Sequence, residues 1–179
     1  MEVGRNYAVV ITTNGGLWRY KIGDTIKFTS TLPYRFRISG RTKHFINAFG
    51  EEVIVENAEA AVQFAAEQTH ATISNFTAAP VYFEGTGSNG AHEWVVEFQT
   101  PPENLEEFTR LLDQKLRQVN SDYDAKRYKD IALKMPVVHQ AKAGLFEAWL
   151  ERKGKLGGQH KVPRLSNSRE FLEEILEMM

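Results

Sequence analysis

A stretch of alternating and turn-forming residues, 17–50, constrains the fold more than any other part of this sequence. Its first residues, 17–22 (LWRYKI), place side chains on two opposite faces with the period of a β-strand. We predict a strand there, a tight turn at Gly23 and Asp24, a second strand, a loop, and a third strand that ends at the basic junction 40–43 (GRTK). The chain is therefore expected to open with a β-sheet.

The residues before this stretch predict a strand that begins almost at the start of the chain. Residues 6–13 (NYAVVITT) are typical of a buried strand, and Asn14 and Gly15 are typical of a hairpin turn. Folded domains normally pair or cover the edges of their sheets, because an open edge invites association. We therefore expect residues 1–39 to be a β-hairpin remnant of a larger N-terminal domain, with partner strands upstream.

The residues that follow predict an α+β fold, a mixed β-sheet with helices packed on it. The predicted helices are 56–68, 104–120, 144–152 and a closing helix near the C-terminus. The predicted strands are 51–55, 72–84, 92–100 and 134–140. Asn167 is expected to cap the closing helix, with Glu170 at the capping-box position. Pro80 is expected to interrupt its strand at a sheet edge.

Three polar segments are interpreted without a binding role. Asp113 and Arg117 lie four residues apart on a predicted helix and are expected to pair on its exposed side. Residues 121–130 (SDYDAKRYKD) are expected to form a short helix with a turn; their basic residues could bind nucleic acid, but the balancing aspartates favour a solvated face. Residues 85–90 (GTGSNG) match the pattern G-x-G-x-x-G, but a strand follows them where a dinucleotide site needs a helix N-terminus. We predict a hairpin loop there.

Composition excludes several classes of function. The 179 residues carry a net charge of −1 and no cysteine, which rules out disulfides, thiolate nucleophiles and cysteine–zinc sites. The five histidines lack the spacing of metal ligands, so no metal site is predicted. The sequence has no basic excess, no long apolar run and no signal-peptide pattern. We expect a cytoplasmic protein that binds neither nucleic acid nor membrane; an oligomer is compatible with the sequence.

Three polar residues at the end of the first sheet suit a nucleotide. The carboxylate of Asp24 could accept hydrogen bonds from sugar hydroxyls, and the cations of Arg41 and Lys43 could neutralise phosphate. The alternative is that Asp24 caps a turn and both cations are solvated.

Motifs in the order of a known family favour the nucleotide. Residues 17–24 (LWRYKIGD) resemble the L-[YW]-R-Y-R-x-G-D motif of the auxin-responsive Gretchen-Hagen-three family of acyl-acid amido synthetases, in the acyl-adenylate-forming superfamily. Residues 40–43 are similar to the hinge signature of that superfamily, and residues 159–164 (QHKVPR) are similar to the family's Q-x-K-x-P-R. Lys21 departs from the pattern, because it replaces a bidentate guanidinium with a point charge. The resemblance covers essentially the whole chain, but only the C-terminal third of such an enzyme.

The resemblance implies a role for each of five residues. Asp24 would bind the ribose hydroxyls of adenosine, Tyr20 would shape the nucleotide site, and Arg41 would lie near the ribose or phosphates. Lys43 would be the hinge about which the C-terminal domain turns, and Lys161 would be the catalytic cation. Residues 1–39 would then end the acyl- and nucleotide-binding domain, and residues 40–179 would form a mobile C-terminal domain with its hinge at 40–44.

Lys161 also has a chemical reason to be considered. It follows a glycine-rich segment, 153–160, and precedes Pro163, so a flexible stretch meets a stiff one at this ammonium group. An ammonium at the α-phosphate of ATP would stabilise the charge that develops during adenylation, and loop or domain closure could deliver it. The alternative is an ordinary surface lysine in a linker.

The resemblance implies a ligase that uses ATP and Mg²⁺ to adenylate a carboxylic acid and then joins the acyl group to an amino acid. The phosphate-binding loop and the acyl pocket of such an enzyme are absent from this sequence. Both small-molecule partners would bind through the missing N-terminal domain, and we expect the isolated chain to be inactive. The alternative is a stand-alone α+β module that binds a small ligand or regulates a partner without catalysis.

Overall fold

The protein has the predicted α+β fold, with several β-sheets, one of them mixed, and helices packed on the mixed sheet. The computed structural model describes residues 1–41, 45–83, 89–130, 132–155, 157 and 161–179, and for 40 and 41 it describes the backbone. The strands in chain order are β1 Asn6–Ile11, β2 Tyr20–Thr31, β3 Tyr34–Arg41, β4 Phe45–Ile46, β5 Val53–Ile54, β6 Thr72–Tyr82, β7 Gly90–Thr100 and β8 Val137–Ala141. The helices are α1 Val55–Gln68, α2 Leu105–Val119, α3 Ser121–Arg127, α4 Leu145–Arg152 and α5 Glu170–Leu176.

The first sheet is an antiparallel meander in the order β1-β2-β3. The predicted tight turn at Gly23 and Asp24 is wrong, because β2 runs continuously through both residues. Gly23 has a φ of 93°, and the register of β1 against β2 shifts nearby, so the glycine bends the strand without reversing it. The chain reverses at Leu32 and Pro33 instead.

Aromatic rings hold the first sheet together on one face. Within residues 1–39, Phe28 alone is buried. Its ring lies 5.6 Å from that of Tyr7, 5.9 Å from that of Tyr34 and 6.0 Å from that of Phe36, each pair edge to face. The sheet therefore has a small aromatic cluster in place of a core.

The second large sheet has the order β6-β7-β8 and is mixed, because β6 and β7 are antiparallel whereas β7 and β8 are parallel. β6 is an edge strand, as the presence of Pro80 indicated. The strand is not interrupted there: Pro80 pairs with His92 of β7 within one continuous ladder.

Helices pack on both faces of this second sheet. Alternate residues of β7 point to opposite sides, so Trp94 and Val96 pack with α1 and α2, whereas Val95 packs with α4 and α5. Each face has its own buried cluster. The sequence pattern of α2 follows from this arrangement, because Phe108 and Leu112 point to the first cluster.

α1 ends with a left-handed residue that is not glycine. Thr69 caps the helix, His70 has a φ of 53°, and the Ala71 amide donates to the Ala66 carbonyl at 2.9 Å. We expect His70→Gly to raise the free energy of unfolding by about 1 kcal/mol, because glycine adopts this conformation without the steric cost. Urea denaturation measures the change. His70→Ala keeps the strain and serves as the control; a gain of the same size in both variants would contradict the explanation.

The closing helix begins without the predicted cap. α5 starts at Glu170, and the side chain of Asn167 does not cap it. Instead, Asn167 Oδ1 accepts a hydrogen bond from the amide of Asn47 at 2.8 Å, which ties the end of the chain to the loop after β4. α2, in contrast, has a side-chain cap, because Asn104 accepts from the amides of Glu106 and Glu107. Of the helices described, none is long and apolar enough to cross a membrane.

Candidate functional site

Two of the residues expected to bind nucleotide are paired on neighbouring strands of the first sheet. Asp24 of β2 is half-buried and lies directly opposite Arg41, the last residue of β3, in the antiparallel register. Tyr20 begins β2, and 52% of its surface is exposed. Lys43 lies outside the described residues. The sheet therefore brings the backbone positions of a carboxylate and a guanidinium together, and an accessible tyrosine lies four residues earlier on β2.

Much of the apolar surface of this sheet is open. Trp18 and Ile38 are 78% and 71% exposed, and Tyr34 and Phe36 are 68% and 59% exposed. Folded proteins seldom leave this much aromatic and aliphatic surface uncovered unless it binds something.

Lys161 lies in a different part of the fold, at the start of a segment that runs along β6. Its side chain is exposed and makes no hydrogen bond or ion pair with any residue that the structure describes. Val162 and Leu165, which follow it, are buried. The described contacts do not bring Lys161 to Asp24 or Tyr20.

One carboxylate links the first sheet to the rest of the chain. Glu56, in the first turn of α1, contacts Lys27 Nζ at 3.2 Å and Arg37 Nη2 at 2.8 Å. These pairs bridge the two sides of the predicted hinge, 40–44. All three side chains are partly exposed, so each pair contributes at most about 1 kcal/mol and can be broken at small cost.

Comparison with known families accounts for both parts of the chain. The model described as the GH3 family C-terminal domain matches residues 56–170, well over half of the sequence, and the model for the GH3 family central domain matches residues 1–41. The chain belongs to the GH3 family. The family resemblance read from the three motifs is thereby confirmed.

The GH3 relatives are much longer than this chain. Indole-3-acetic acid-amido synthetase GH3.3 of Arabidopsis thaliana is 27% identical over 174 residues, which is 92% of this chain and 29% of that protein. Putative indole-3-acetic acid-amido synthetase GH3.9 of the same plant is 27% identical, over 96% of this chain and 30% of its own. The chain thus spans less than a third of these relatives and corresponds to the C-terminal portion of the family.

A solved GH3 structure has the same fold. The GH3.15 acyl acid amido synthetase superposes with a TM-score of 0.75 at 22% identity, over 98% of this chain and 33% of its own. The same protein in complex with 2,4-DB gives a TM-score of 0.69.

The GH3 chain also contains a buried acid–base pair that the sequence did not reveal. Glu51 and His92 are fully buried, and His92 Nε2 lies 2.8 Å from Glu51 Oε1. The Glu51 carboxylate also accepts from the amide of Phe49 at 2.7 Å. Burial alone would raise the pKa of Glu51, but the hydrogen bond and charge of His92, together with the amide of Phe49, outweigh it and lower that pKa. The pair fixes the loop between β4 and β5.

This pair predicts a loss of stability in acid. The folded-state pKa of Glu51 lies below its unfolded value, so its contribution is complete above the unfolded pKa and disappears as the pH falls through the folded pKa. We therefore expect the free energy of unfolding, from urea titrations, to decrease from about pH 5 downward. In Glu51→Gln the slope of that free energy against pH should be shallower. Equal slopes would show that Glu51 does not titrate in this way.

A second buried cluster corrects one expectation and limits another. Asp113 is buried and does not pair with Arg117; its Oδ1 accepts from Arg127 Nε at 2.7 Å and from the hydroxyl of Tyr123 at 2.8 Å. Most of the segment 121–130 is exposed, as expected, but Tyr123 and Arg127 are buried and close over α2. Asp113 directly follows two leucines on the apolar face, and that position was the available sign of burial. The cluster is far in sequence from the motif residues, and we interpret it as structural.

Proposed function

We propose that this chain is the C-terminal part of an ATP-dependent acyl acid amido synthetase. The observation that carries the proposal is the match of its two segments to consecutive GH3 domains, in a chain similar to indole-3-acetic acid-amido synthetases. Such an enzyme converts a carboxylic acid to an acyl-adenylate and then to an amide with an amino acid. On this proposal the acid and the amino acid bind mainly to residues outside this chain.

We propose the hinge at residues 40–44, with residues 1–39 as part of the nucleotide-binding domain and 40–179 as the moving domain. Lys43 would be the pivot. The ion pairs of Glu56 with Lys27 and Arg37 support this division, because they are the kind of exposed contact that a domain rotation could break and remake.

The nucleotide would bind at the end of the first sheet. Asp24 would accept hydrogen bonds from the ribose hydroxyls, Arg41 would attract the ribose or the phosphates, and Tyr20 would form part of the wall. The cross-strand pairing of Asp24 with Arg41 supports this assignment, since one ligand can reach both positions. We assign no Mg²⁺ ligand to this chain. Among its described residues, no three acidic, histidine or cysteine side chains lie close enough together to hold a metal ion. Mg²⁺ carried by a nucleotide takes much of its coordination from phosphate and water.

Lys161 would act in the first reaction. A carboxylate oxygen of the acid forms a bond to the α-phosphorus of ATP, the bond from that phosphorus to the bridging oxygen breaks, and pyrophosphate leaves. Negative charge gathers at the phosphoryl oxygens in the transition state, where an ammonium group stabilises it most. Lys161 suits this role because it is exposed and unpaired among the described residues, so its charge is available to a phosphate.

In the second reaction the amine nitrogen of the amino acid would form a bond to the acyl carbon, and AMP would leave with the pair of electrons from the broken acyl–oxygen bond. The amino group must first lose the proton of its ammonium form, and its nitrogen loses a second proton as the amide forms. We assign no base for either proton among the residues of this chain.

ATP–pyrophosphate exchange tests the proposal. The genomic sequence upstream of the codon for Met1 is read first, and the complete protein is expressed and assayed with a panel of carboxylic acids that includes indole-3-acetic acid. We expect exchange that depends on the acid, and none from residues 1–179 alone. Exchange by the isolated chain would contradict its proposed dependence on other domains. A reading frame that starts at Met1, with no exchange, would favour a binding module.

A further inference from the structure

The segment that follows Lys161 is held along the free edge of β6 by backbone hydrogen bonds. The amide of Ala78 donates to the carbonyl of Arg164 at 3.0 Å, and the amide of Ser166 donates to the carbonyl of Ala78 at 3.1 Å. Ala78 and Leu165 thereby form a parallel bridge. The segment acts as one short added strand at this edge.

A buried side chain adds a further hydrogen bond nearer to Lys161. Thr77 is 2% exposed, and its hydroxyl donates to the carbonyl of Pro163 at 2.7 Å. That carbonyl accepts from a side chain, and no backbone amide of the described residues donates to it. Pro163 is half-buried, and loss of the Thr77 hydroxyl would leave its carbonyl without this donor and so loosen the backbone at this position.

The neighbouring residue of β6 holds the segment by a third kind of contact. The guanidinium of Arg164 lies over the ring of Phe76, 4.4 Å from its centroid, and Phe76 itself is buried. Three successive residues of β6 therefore hold the segment through a ring, a hydroxyl and a backbone ladder.

Residues of this segment also pack in both hydrophobic clusters. Val162 packs in the cluster with α4 and α5, whereas Leu165 packs in the cluster with α1 and α2. Lys161 is thus the exposed residue directly before an immobilised one, and consecutive Cα atoms are about 3.8 Å apart. Its backbone direction is set at Val162 and Pro163.

We propose that Thr77 is a positioning residue for Lys161, acting through the carbonyl of Pro163. This inference rests on the proposed catalytic role of Lys161. Thr77 does not touch the reacting atoms; its hydrogen bond fixes the direction in which the chain leaves the sheet edge, and so the place that the ammonium group can reach. Misplacement of a catalytic group by about 1 Å is enough to reduce a rate by as much as a hundredfold.

The first test compares Thr77→Val, which removes the hydroxyl at similar volume, with Thr77→Ser, which keeps it. In the complete synthetase we expect Thr77→Val to lower kcat for acid-dependent pyrophosphate exchange by about tenfold or more, with KM for ATP within about twofold. Amide formation from preformed acyl-adenylate should change by less than about twofold, because Lys161 acts before that step. Thr77→Ser should retain the wild-type rate. Equal losses in both reactions would indicate a merely structural role.

The second test measures how firmly position 161 is held and uses residues 1–179. The chain contains no cysteine, so Lys161→Cys provides a unique attachment point for a nitroxide label. The electron paramagnetic resonance spectrum should show a more mobile label in the Thr77→Val background and an unchanged label with Thr77→Ser. A label at Gln114→Cys, on the exposed side of α2, should be unaffected in either background.

The outcomes separate the inference from the function on which it rests. If Lys161→Ala abolishes exchange while Thr77→Val alters neither kcat nor label mobility, Lys161 keeps its role and the positioning inference fails. If Lys161→Ala leaves exchange unchanged, both fail. If Thr77→Val does not fold, Arg164→Gln replaces it, because this change removes the contact between Arg164 and Phe76 and so loosens the same segment after Lys161. The inference then requires a lower kcat for exchange and a more mobile label at position 161, and it fails if neither changes.

Discussion

Replacing Lys161 with alanine is expected to lower acid-dependent pyrophosphate exchange in the complete synthetase by about a hundredfold to a thousandfold. That is the usual loss when one group that stabilises transition-state charge is removed. KM for the acid should change little, because the contact would be made chiefly in the transition state. Thermal unfolding should be unaffected, since the side chain is exposed and has no partner among the described residues.

A matched lysine distinguishes a catalytic charge from charge in general. Lys155 is an exposed lysine near the start of the glycine-rich segment, 153–160, that precedes Lys161. We expect Lys155→Ala to keep an exchange rate within about twofold of wild type. Lys161→Arg keeps the positive charge on a longer and wider group, so it should fall between the alanine variant and wild type. Equal exchange rates for Lys161→Ala and Lys155→Ala would remove the proposed role.

Gly90→Ala is expected to destabilise the fold by about 3 kcal/mol or more, in the upper range for overpacking of a core. A methyl group built at Gly90 would lie 2.1 Å from the carbonyl oxygen of Val81 and 2.5 Å from the ring of Phe49. Gly90 cannot easily move away, because its amide donates to Ala132 and its carbonyl accepts from Lys134. Urea denaturation followed by circular dichroism measures the loss.

Gly144→Ala is the control for this substitution. Gly144 has a φ of 81°, but a methyl group there would meet no atom within 4 Å. We expect it to lose only about 1 kcal/mol, the price of a left-handed backbone for alanine. Equal losses for the two variants would show that steric contact at Gly90 is unimportant.

Elements with a long, regular pattern could be predicted from the sequence, whereas bends could not. α1 and α2 follow from apolar residues at helical spacing, and β7 was predicted as a strand from residues 92–100, although helices bury both of its faces. Gly23 misled because a glycine with positive φ serves a turn and a bulge equally well. Asn167 misled because its side chain found a distant amide in place of the nearby helix.

The sequence proposes residues for the candidate site, but it does not reveal the contacts that hold them. The motifs identify Asp24, Arg41 and Lys161 as residues of interest, but the anchor of Lys161 depends on Thr77, which is 86 positions from Pro163 in the chain. A contact at that separation leaves no local pattern. Asp113 failed for a related reason, because its partner Arg127 is in another helix.

Phe28 is the one buried residue among residues 1–39, and this makes the chain uneven in its resistance to heat and denaturant. Apolar burial supplies most of the free energy of folding, and nearly all of it lies in the second sheet and its helices. A cooperative melting curve of this chain therefore reports the unfolding of the second sheet and its helices. The amide hydrogens of β1 and β3 exchange with water through local unfolding of the first sheet, which such a curve does not record.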